Sequence, residues 1–171
     1  MKNPTFTAKP SMKSKQRGAL TLDAAMWTSF ILVAVLLLLS QLPKIKYTFN
    51  ELIFVWEANQ IVTETVSWSK GNNFLDATIT KVCTEGNLSK RICGSSNDGR
   101  GTNAFGGDWS LKPNRNSSTL LDVTATIPTP EDAKRIPSLA KSLIGSTRGN
   151  CSEVDGCSTL ATTANSLTMT Y

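Results

Sequence analysis

Histidine is absent from the 171-residue sequence, and its absence excludes several kinds of catalytic site. A serine or cysteine nucleophile that needs a histidine base cannot be built, and neither can a metal site with imidazole ligands. Charged side chains are also scarce, at 18% of residues, while 40% of residues are hydrophobic, which is not the balance of a disordered chain. We therefore expect one modest folded domain with no enzymatic activity and no cofactor.

The basic excess is confined to the first 18 residues. The chain has 18 Lys and Arg against 13 Asp and Glu, and five of the basic residues lie in residues 1–18, which contain no acid. The remaining residues hold thirteen basic and thirteen acidic side chains. The net charge of +5 therefore describes a short polar segment, either a flexible basic tail or a leader. It gives no reason to expect that the rest of the protein binds nucleic acid directly.

A long apolar run follows this segment. Residues 19–42 contain a single charged side chain, Asp23. As a helix they would span about 36 Å, more than the ~30 Å hydrocarbon core of a bilayer. The run is too long for the core of a secretory signal, and it ends at Pro43 without a small-x-small cleavage site. We predict an uncleaved membrane-spanning helix, with the basic N-terminus in the cytoplasm and the rest exported.

Asp23 needs an explanation, because carboxylates within membrane spans are rare and usually functional. One interpretation is that it caps or neutralises the helix N-terminus, since it lies one turn into the apolar run. The other comes from its setting, in which a basic segment ends at Gly18, Ala19 follows, and Asp23 precedes the uncharged run. A short basic leader ending in Gly, with an acid five residues later at the start of an apolar helix, resembles the N-terminus of type IV prepilins.

This resemblance implies a processing site. In type IV prepilins a prepilin peptidase cuts after the glycine and methylates the new first residue, here cleavage between Gly18 and Ala19 with N-methylation of Ala19. The apolar helix survives the cut as the polymerisation helix. Asp23, where the family usually has Glu, would pair with the α-amino group of a neighbouring subunit and set the axial register. An Ala at the first mature position is found in the longer-leader, type IVb-like subclass.

Beyond Pro43 the apolar positions become periodic. Pro43 predicts a kink in the helix and not its end. Three- and four-residue spacings predict that one helix face is buried, formed by Ile45, Phe49, Leu52, Val55, Trp56, Val62 and Val66. Gly71-Asn72-Asn73 is expected to end the helix. The predicted organisation is a leader over 1–18, a spanning helix over 19–43, an amphipathic continuation over 44–70 and a globular head over 71–171.

The sequence of the head predicts a mixture of short helices and strands. The patterns predict a short helix or turn over 74–82, strands over 103–111, 120–127 and 159–171, a turn at 114–118, and a helix from Thr129 to Ile144 with Pro137 as a local flaw. The fold class is therefore α+β, a long N-terminal helix packed on an antiparallel sheet, which by resemblance is the type IV pilin fold. The Gly-Gly-x-Trp strand, the next strand, Ile-Pro and a helix also resemble the head of PilS-type pilins of plasmid-borne thin pili.

Four cysteines allow three pairings, and the sequence does not choose among them. Proximity favours Cys83 with Cys93 and Cys151 with Cys157, which would close two short loops. Neither pair has the short spacing of zinc ligands. Disulfides would fit the oxidising compartment into which the head is expected to be exported.

These features predict the structural major subunit of a type IVb-like pilus, a homopolymer for adhesion or cell–cell contact, with the PilS-like head favouring conjugation. Its expected partners are the prepilin peptidase, the pilus assembly platform and the inner membrane, which holds the precursor before it joins an extracellular filament. One alternative is a minor pilin or type II secretion pseudopilin. A second is a non-polymerising single-span protein with a periplasmic binding domain, and a third is a membrane-tethered nucleic-acid binder.

Overall fold

The computed structural model describes residues 17–71 and 73–171, with the backbone alone for residues 17–20, and residues 1–16 of the predicted leader lie outside the described residues. It divides into two compact units, Met1–Ile45 and Lys46–Tyr171, named here the N-terminal and C-terminal units. In chain order the elements are α1 (Arg17–Ser69), α2 (Ile79–Glu85), α3 (Lys90–Cys93), β1 (Trp109–Pro113), β2 (Leu121–Thr126), α4 (Pro130–Ala133), α5 (Ile136–Leu143), a short 3₁₀ helix (Ile144–Ser146), β3 (Leu160–Thr162) and β4 (Ser166–Thr170).

Helix α1 covers both predicted helical segments without interruption. It has 53 residues and contains Pro43, whose predicted kink stays a prediction. The helix ends where Lys70 and Gly71 adopt φ angles of 53° and 77°. That left-handed conformation cannot continue a right-handed helix and is common just after helix ends. The predicted stop over residues 71–73 therefore lies where the helix ends, although Asn72 is outside the described residues.

In the N-terminal unit, every side chain described from Thr21 to Ile45 is exposed. The helix includes an 18-residue window with a mean hydropathy of 2.2, none of which is buried. By length and composition it can cross a membrane.

The C-terminal unit contains a four-stranded antiparallel sheet in the order β1-β2-β4-β3. Alternate residues of β2 point into the core, so that Leu121, Val123 and Ala125 are fully buried. This period of two is the pattern from which β2 and its hairpin with β1 were predicted. The α+β layout, with a long N-terminal apolar helix and a C-terminal antiparallel sheet, is confirmed.

Three predicted elements differ from the structure. The strand predicted over 103–111 begins only at Trp109, because the Asn103 side chain accepts hydrogen bonds from the N–H groups of Phe105 and Gly107 and forms a turn. The strand predicted over 159–171 is instead the β3–β4 hairpin. The short helix or turn predicted over 74–82 is a turn at Leu75 and Asp76 followed by α2, which begins at Ile79, where the Thr78 side chain accepts a hydrogen bond from the Lys81 N–H.

The helix predicted from Thr129 to Ile144 is divided into α4 and α5. The division lies at Lys134 and Arg135, just before Pro137. Proline has no N–H and its ring collides with the carbonyl of the preceding turn, so it breaks a helix interior but is tolerated in a first turn. Pro137 occupies the first turn of α5, which explains why a new helix begins there.

The prediction of which α1 face is buried was wrong. In the C-terminal unit the fully buried α1 residues are Phe54, Glu57, Ala58, Ile61 and Thr65. The predicted face is exposed at Ile45, Phe49, Leu52, Trp56 and Val66, and only half-buried at Val55 and Val62.

Both faces have helical periodicity, and this is why the sequence pattern misled. At 100° per residue, positions two apart lie about 200° around the helix axis, so Leu52 and Trp56 lie opposite Phe54 and Ala58. The face opposite the core has the bulkier apolar side chains. The buried face mixes apolar residues with Glu57, which lowered its apparent hydrophobicity.

Candidate functional site

Two residues of the predicted processing site lie at the start of α1. Gly18 and Ala19 are in its first turn by backbone conformation, and their side-chain surroundings are outside the described residues. Cleavage between them and methylation of Ala19 stay predictions.

Asp23 lies on the exposed surface of the N-terminal unit. Together with Met26, Trp27 and Phe30 it lines a shallow groove of about 320 Å³. Among the residues whose side chains are described, no cation lies within 4.0 Å of its carboxylate. A carboxylate on such an apolar surface would be costly to bury without a counter-charge. Covering this helix face would therefore require a counter-charge for Asp23.

Polar side chains in the apolar segment are bonded within the helix. The Thr28 and Ser29 hydroxyls donate to the Ala25 carbonyl at 3.0 and 2.7 Å, and Ser40 donates to the Leu37 carbonyl at 2.7 Å. Such back-bonding satisfies hydroxyl groups where water is absent. The segment is therefore compatible with lipid or with close packing against other helices.

The exposed face of α1 in the C-terminal unit is apolar, and we name it the outer stripe: Phe49, Leu52 and Trp56. These side chains are 62%, 63% and 55% exposed, and their i, i+3, i+7 spacing places them on one side of the helix. Exposed apolar patches of this kind mark contact sites for proteins or membranes. The outer stripe is a second apolar surface, separate from the face that packs on the head.

An ion pair between a buried carboxylate and a half-exposed guanidinium lies on the core side of α1, and the sequence pattern did not predict it. Glu57 is fully buried, and its Oε1 lies 2.5 Å from Nε of Arg91 in α3. Its Oε2 accepts hydrogen bonds from the Ala104 N–H at 3.2 Å and the Trp109 indole N–H at 3.3 Å. Burial raises the pKa of Glu57, although Arg91 and these hydrogen bonds act to lower it. One carboxylate thus connects α1 with α3 and with the loop and strand of the sheet.

One signal for Glu57 was present in the sequence. Glu57 lies three residues after Phe54 and four before Ile61, so it interrupts an otherwise apolar series at helical spacing. An acid on such a face needs a partner from elsewhere in the chain. The partner could not be identified, because Arg91 is far along the chain, in a helix of four residues.

A second contact fixes the beginning of α1 in the C-terminal unit. The Arg135 guanidinium lies 4.0 Å from the centre of the Tyr47 ring, a cation–π arrangement. The Tyr47 ring also packs on Phe105, with centroids 5.8 Å apart. Burial, followed by the negative charge of Glu51, raises the pKa of the Tyr47 hydroxyl. Glu51 itself accepts a hydrogen bond from Ser142 of α5.

The cysteines form two disulfides, Cys83–Cys93 and Cys151–Cys157, with Cα–Cα distances of 5.5 and 5.9 Å. This is the pairing that sequence proximity favoured. The first disulfide joins α2 to α3, and the second closes the loop that leads into β3. Over the described residues no group of three or more Cys, Asp or Glu side chains is arranged to hold a metal ion.

The chain was compared with models of protein families, with curated proteins and with solved structures, and none of them matches.

Proposed function

We propose that this protein is a structural subunit of a type IVb-like pilus, a major pilin that polymerises through its N-terminal helix. The observation that carries the proposal is the outer stripe. Apolar side chains are exposed along the N-terminal unit and again at Phe49, Leu52 and Trp56, on the helix face that the head leaves uncovered. Further copies of the same helix are the partner that this pattern fits best.

A simple membrane anchor does not account for the outer stripe. About 20 apolar residues cross a bilayer, and residues 19–42 already supply that length. A tether would have no use for large apolar side chains such as Phe49 and Trp56 on the exported unit, where they face water. In a filament they would be buried against neighbouring subunits, and the gain is about 25 cal/mol for each Å² of apolar surface covered.

Asp23 supplies the register for such packing. Cleavage after Gly18 would create an α-amino group at Ala19, which is largely protonated at neutral pH because its reference pKa is about 7.7–8.0. Buried between apolar helices, this cation and the Asp23 carboxylate of a neighbouring subunit would neutralise each other. Leaving either one unpaired would typically cost about 3–5 kcal/mol. The ion pair therefore favours one axial position of neighbouring helices, which apolar contacts alone would not select.

The remaining roles follow from this assembly. The precursor resides in the inner membrane, a prepilin peptidase removes residues 1–18, and an assembly platform moves the subunit into an extracellular filament. The filament serves adhesion or cell–cell contact, and the PilS-like features of the head favour contact during conjugation. The nearest alternatives are a minor pilin or a type II secretion pseudopilin, which would share the helix and the processing.

The experiment is a comparison of Asp23→Ala with Asp23→Glu in the organism that makes the protein. We expect Asp23→Ala to reduce shed filaments at least tenfold, while Asp23→Glu, which keeps the charge, retains them, as scored by electron microscopy and by pelleting of sheared material. Membrane-bound subunit should be present in both strains. Filament-free cells with every variant, wild type included, would favour a non-polymerising single-span protein.

A further inference from the structure

We propose that the Cys83–Cys93 disulfide is a redox lock that keeps Arg91 paired with the buried carboxylate of Glu57, so that α1 packs stably on the head only after oxidation. The lock consists of α2, α3 and the disulfide between them. It concerns the folding of the C-terminal unit and does not depend on whether the chain polymerises.

The two helices joined by the disulfide each hold one polar side chain of α1. Glu85 of α2 accepts a hydrogen bond from the Trp68 indole N–H at 2.7 Å, and Arg91 of α3 contacts Glu57 at 2.5 Å. Glu57 and Trp68 are eleven residues apart, about three helical turns, so they lie on the same side of α1. The Cys83–Cys93 disulfide joins α2 to α3 at the spacing at which both contacts form.

Helix α3 is held by the burial of Ile92 and Cys93 in the core and by few polar contacts. It has four residues, and its N-cap residue Ser89 makes no side-chain capping bond. A helix this short is unstable in isolation. Two backbone hydrogen bonds support it, from Gly99 N–H to the Cys93 carbonyl and from Gly101 N–H to the Ile92 carbonyl, at 3.0 and 3.1 Å. Both donors belong to the loop that follows α3. The disulfide at Cys93, two residues after Arg91, is the covalent link between α3 and α2.

Glu57 makes the loss of this spacing costly. Its carboxylate is buried, and of the cations in the described chain only Arg91 lies within 4.0 Å of it. If α3 moves away, the N–H groups of Ala104 and Trp109 remain as neutral donors, but the counter-charge is gone. Removing the partner of a buried charge is strongly destabilising, because the charge that remains is uncompensated. Reduction of the disulfide is thus expected to loosen the contact of α1 with the head and not only the loop between the cysteines.

The chemical step is thiol–disulfide exchange. The Cys83 and Cys93 thiols together lose two protons and two electrons as their S–S bond forms, and an external protein disulfide accepts them and becomes two thiols. Such an oxidant belongs to the compartment outside the membrane. The contact of α1 with the head would then be completed only after export.

A double-mutant cycle tests the lock. The full chain, in detergent micelles at pH 7, would be prepared as wild type, Glu57→Gln, Cys83→Ser/Cys93→Ser and the combination, and unfolded in urea. We expect the serine pair to raise the unfolding constant at least tenfold more when Glu57 is present than when Gln replaces it. Equal effects in both backgrounds would overturn the proposal.

The second disulfide supplies the matched control. Cys151→Ser/Cys157→Ser should have the same effect with Glu57 or with Gln, because neither cysteine is in an element that carries Arg91. If the Cys83→Ser/Cys93→Ser chain does not fold at all, the proposal requires that adding Glu57→Gln restores a cooperative urea transition. Failure of that rescue, or a serine pair as stable as wild type, would contradict the lock.

Discussion

Leu52 and Phe54 are two positions apart on α1 and have opposite surroundings. Leu52 is 63% exposed, while Phe54 is fully buried with its ring 5.5 Å from Phe105 and 4.9 Å from Trp109, centroid to centroid. The helix thus has an apolar face inside the head and another outside it. The inner face explains how the C-terminal unit folds, and the outer face is the surface that the proposed filament would cover.

We expect Leu52→Glu to prevent filament formation while leaving the head folded. The charge would lie in the outer stripe, where it has water in the monomer but none between packed helices. Filament yield in sheared fractions should fall at least tenfold, and the free energy of unfolding should change by less than about 0.5 kcal/mol, as for other exposed sites.

The control is Leu75→Glu, because Leu75 is also 63% exposed but lies outside α1. Its filaments should form at the wild-type level. Equal losses with Leu52→Glu and Leu75→Glu would show that the outer stripe has no special role.

Phe54→Ala should destabilise the head through a cavity in the core. Phe54 is fully buried among aromatic rings, and truncations of this kind cost about 3–5 kcal/mol. Urea unfolding of the full chain in detergent measures the change. A loss below about 1 kcal/mol would mean that α1 does not pack on the sheet as described.

The stability of the head should fall with rising pH relative to that of the Glu57→Gln variant. Burial raises the pKa of Glu57 in the folded state, so the folded chain binds a proton more readily than the unfolded chain. The resulting stabilisation is fully present below the unfolded-state pKa, and it is lost as the pH rises through the folded-state pKa. Because Gln cannot ionise, the urea midpoints of the two proteins should diverge as the pH rises from the unfolded-state to the folded-state pKa of Glu57. Plots of midpoint against pH that stay parallel would refute the explanation.

Gly107→Ala should disrupt the turn before β1. A methyl group there would overlap the Thr126 carbonyl oxygen, which is backbone and cannot move aside without separating β1 from β2. We expect a loss of more than about 2 kcal/mol or no folding at all. Gly145→Ala is the matched control, because a methyl group at Gly145 meets nothing within 4 Å. That variant should be neutral or slightly more stable in thermal denaturation followed by circular dichroism, and similar effects of both changes would contradict the description of the turn.

The elements that the sequence predicted well have a clear local period. The α1 pattern continues to Ser69, and the alternation over Leu121–Thr126 identifies β2. The elements whose starting points were predicted wrongly depend on a few hydrogen bonds or on the ring of a single proline. The Asn103 side chain turns the chain before β1, and Pro137 starts α5, and neither effect changes the hydrophobic pattern around it.

The residues of the candidate site also differ in how clearly the sequence reveals them. Asp23 is conspicuous in the sequence because it is the single charge in an apolar run. Glu57 is not, because its importance depends on burial and on Arg91, a residue brought to it by long-range packing. The orientation of α1 was likewise hidden, since two apolar faces share one helix and only packing against the sheet distinguishes Phe54 from Leu52.

Polymerisation of a processed subunit is the central claim, and mass spectrometry of the N-terminus of the protein in sheared surface material tests it most directly. The account predicts a chain that begins at Ala19 with a methylated α-amino group, recovered in particles that pellet as filaments. A chain that keeps Met1 and residues 2–18, found only in the membrane fraction, would contradict it.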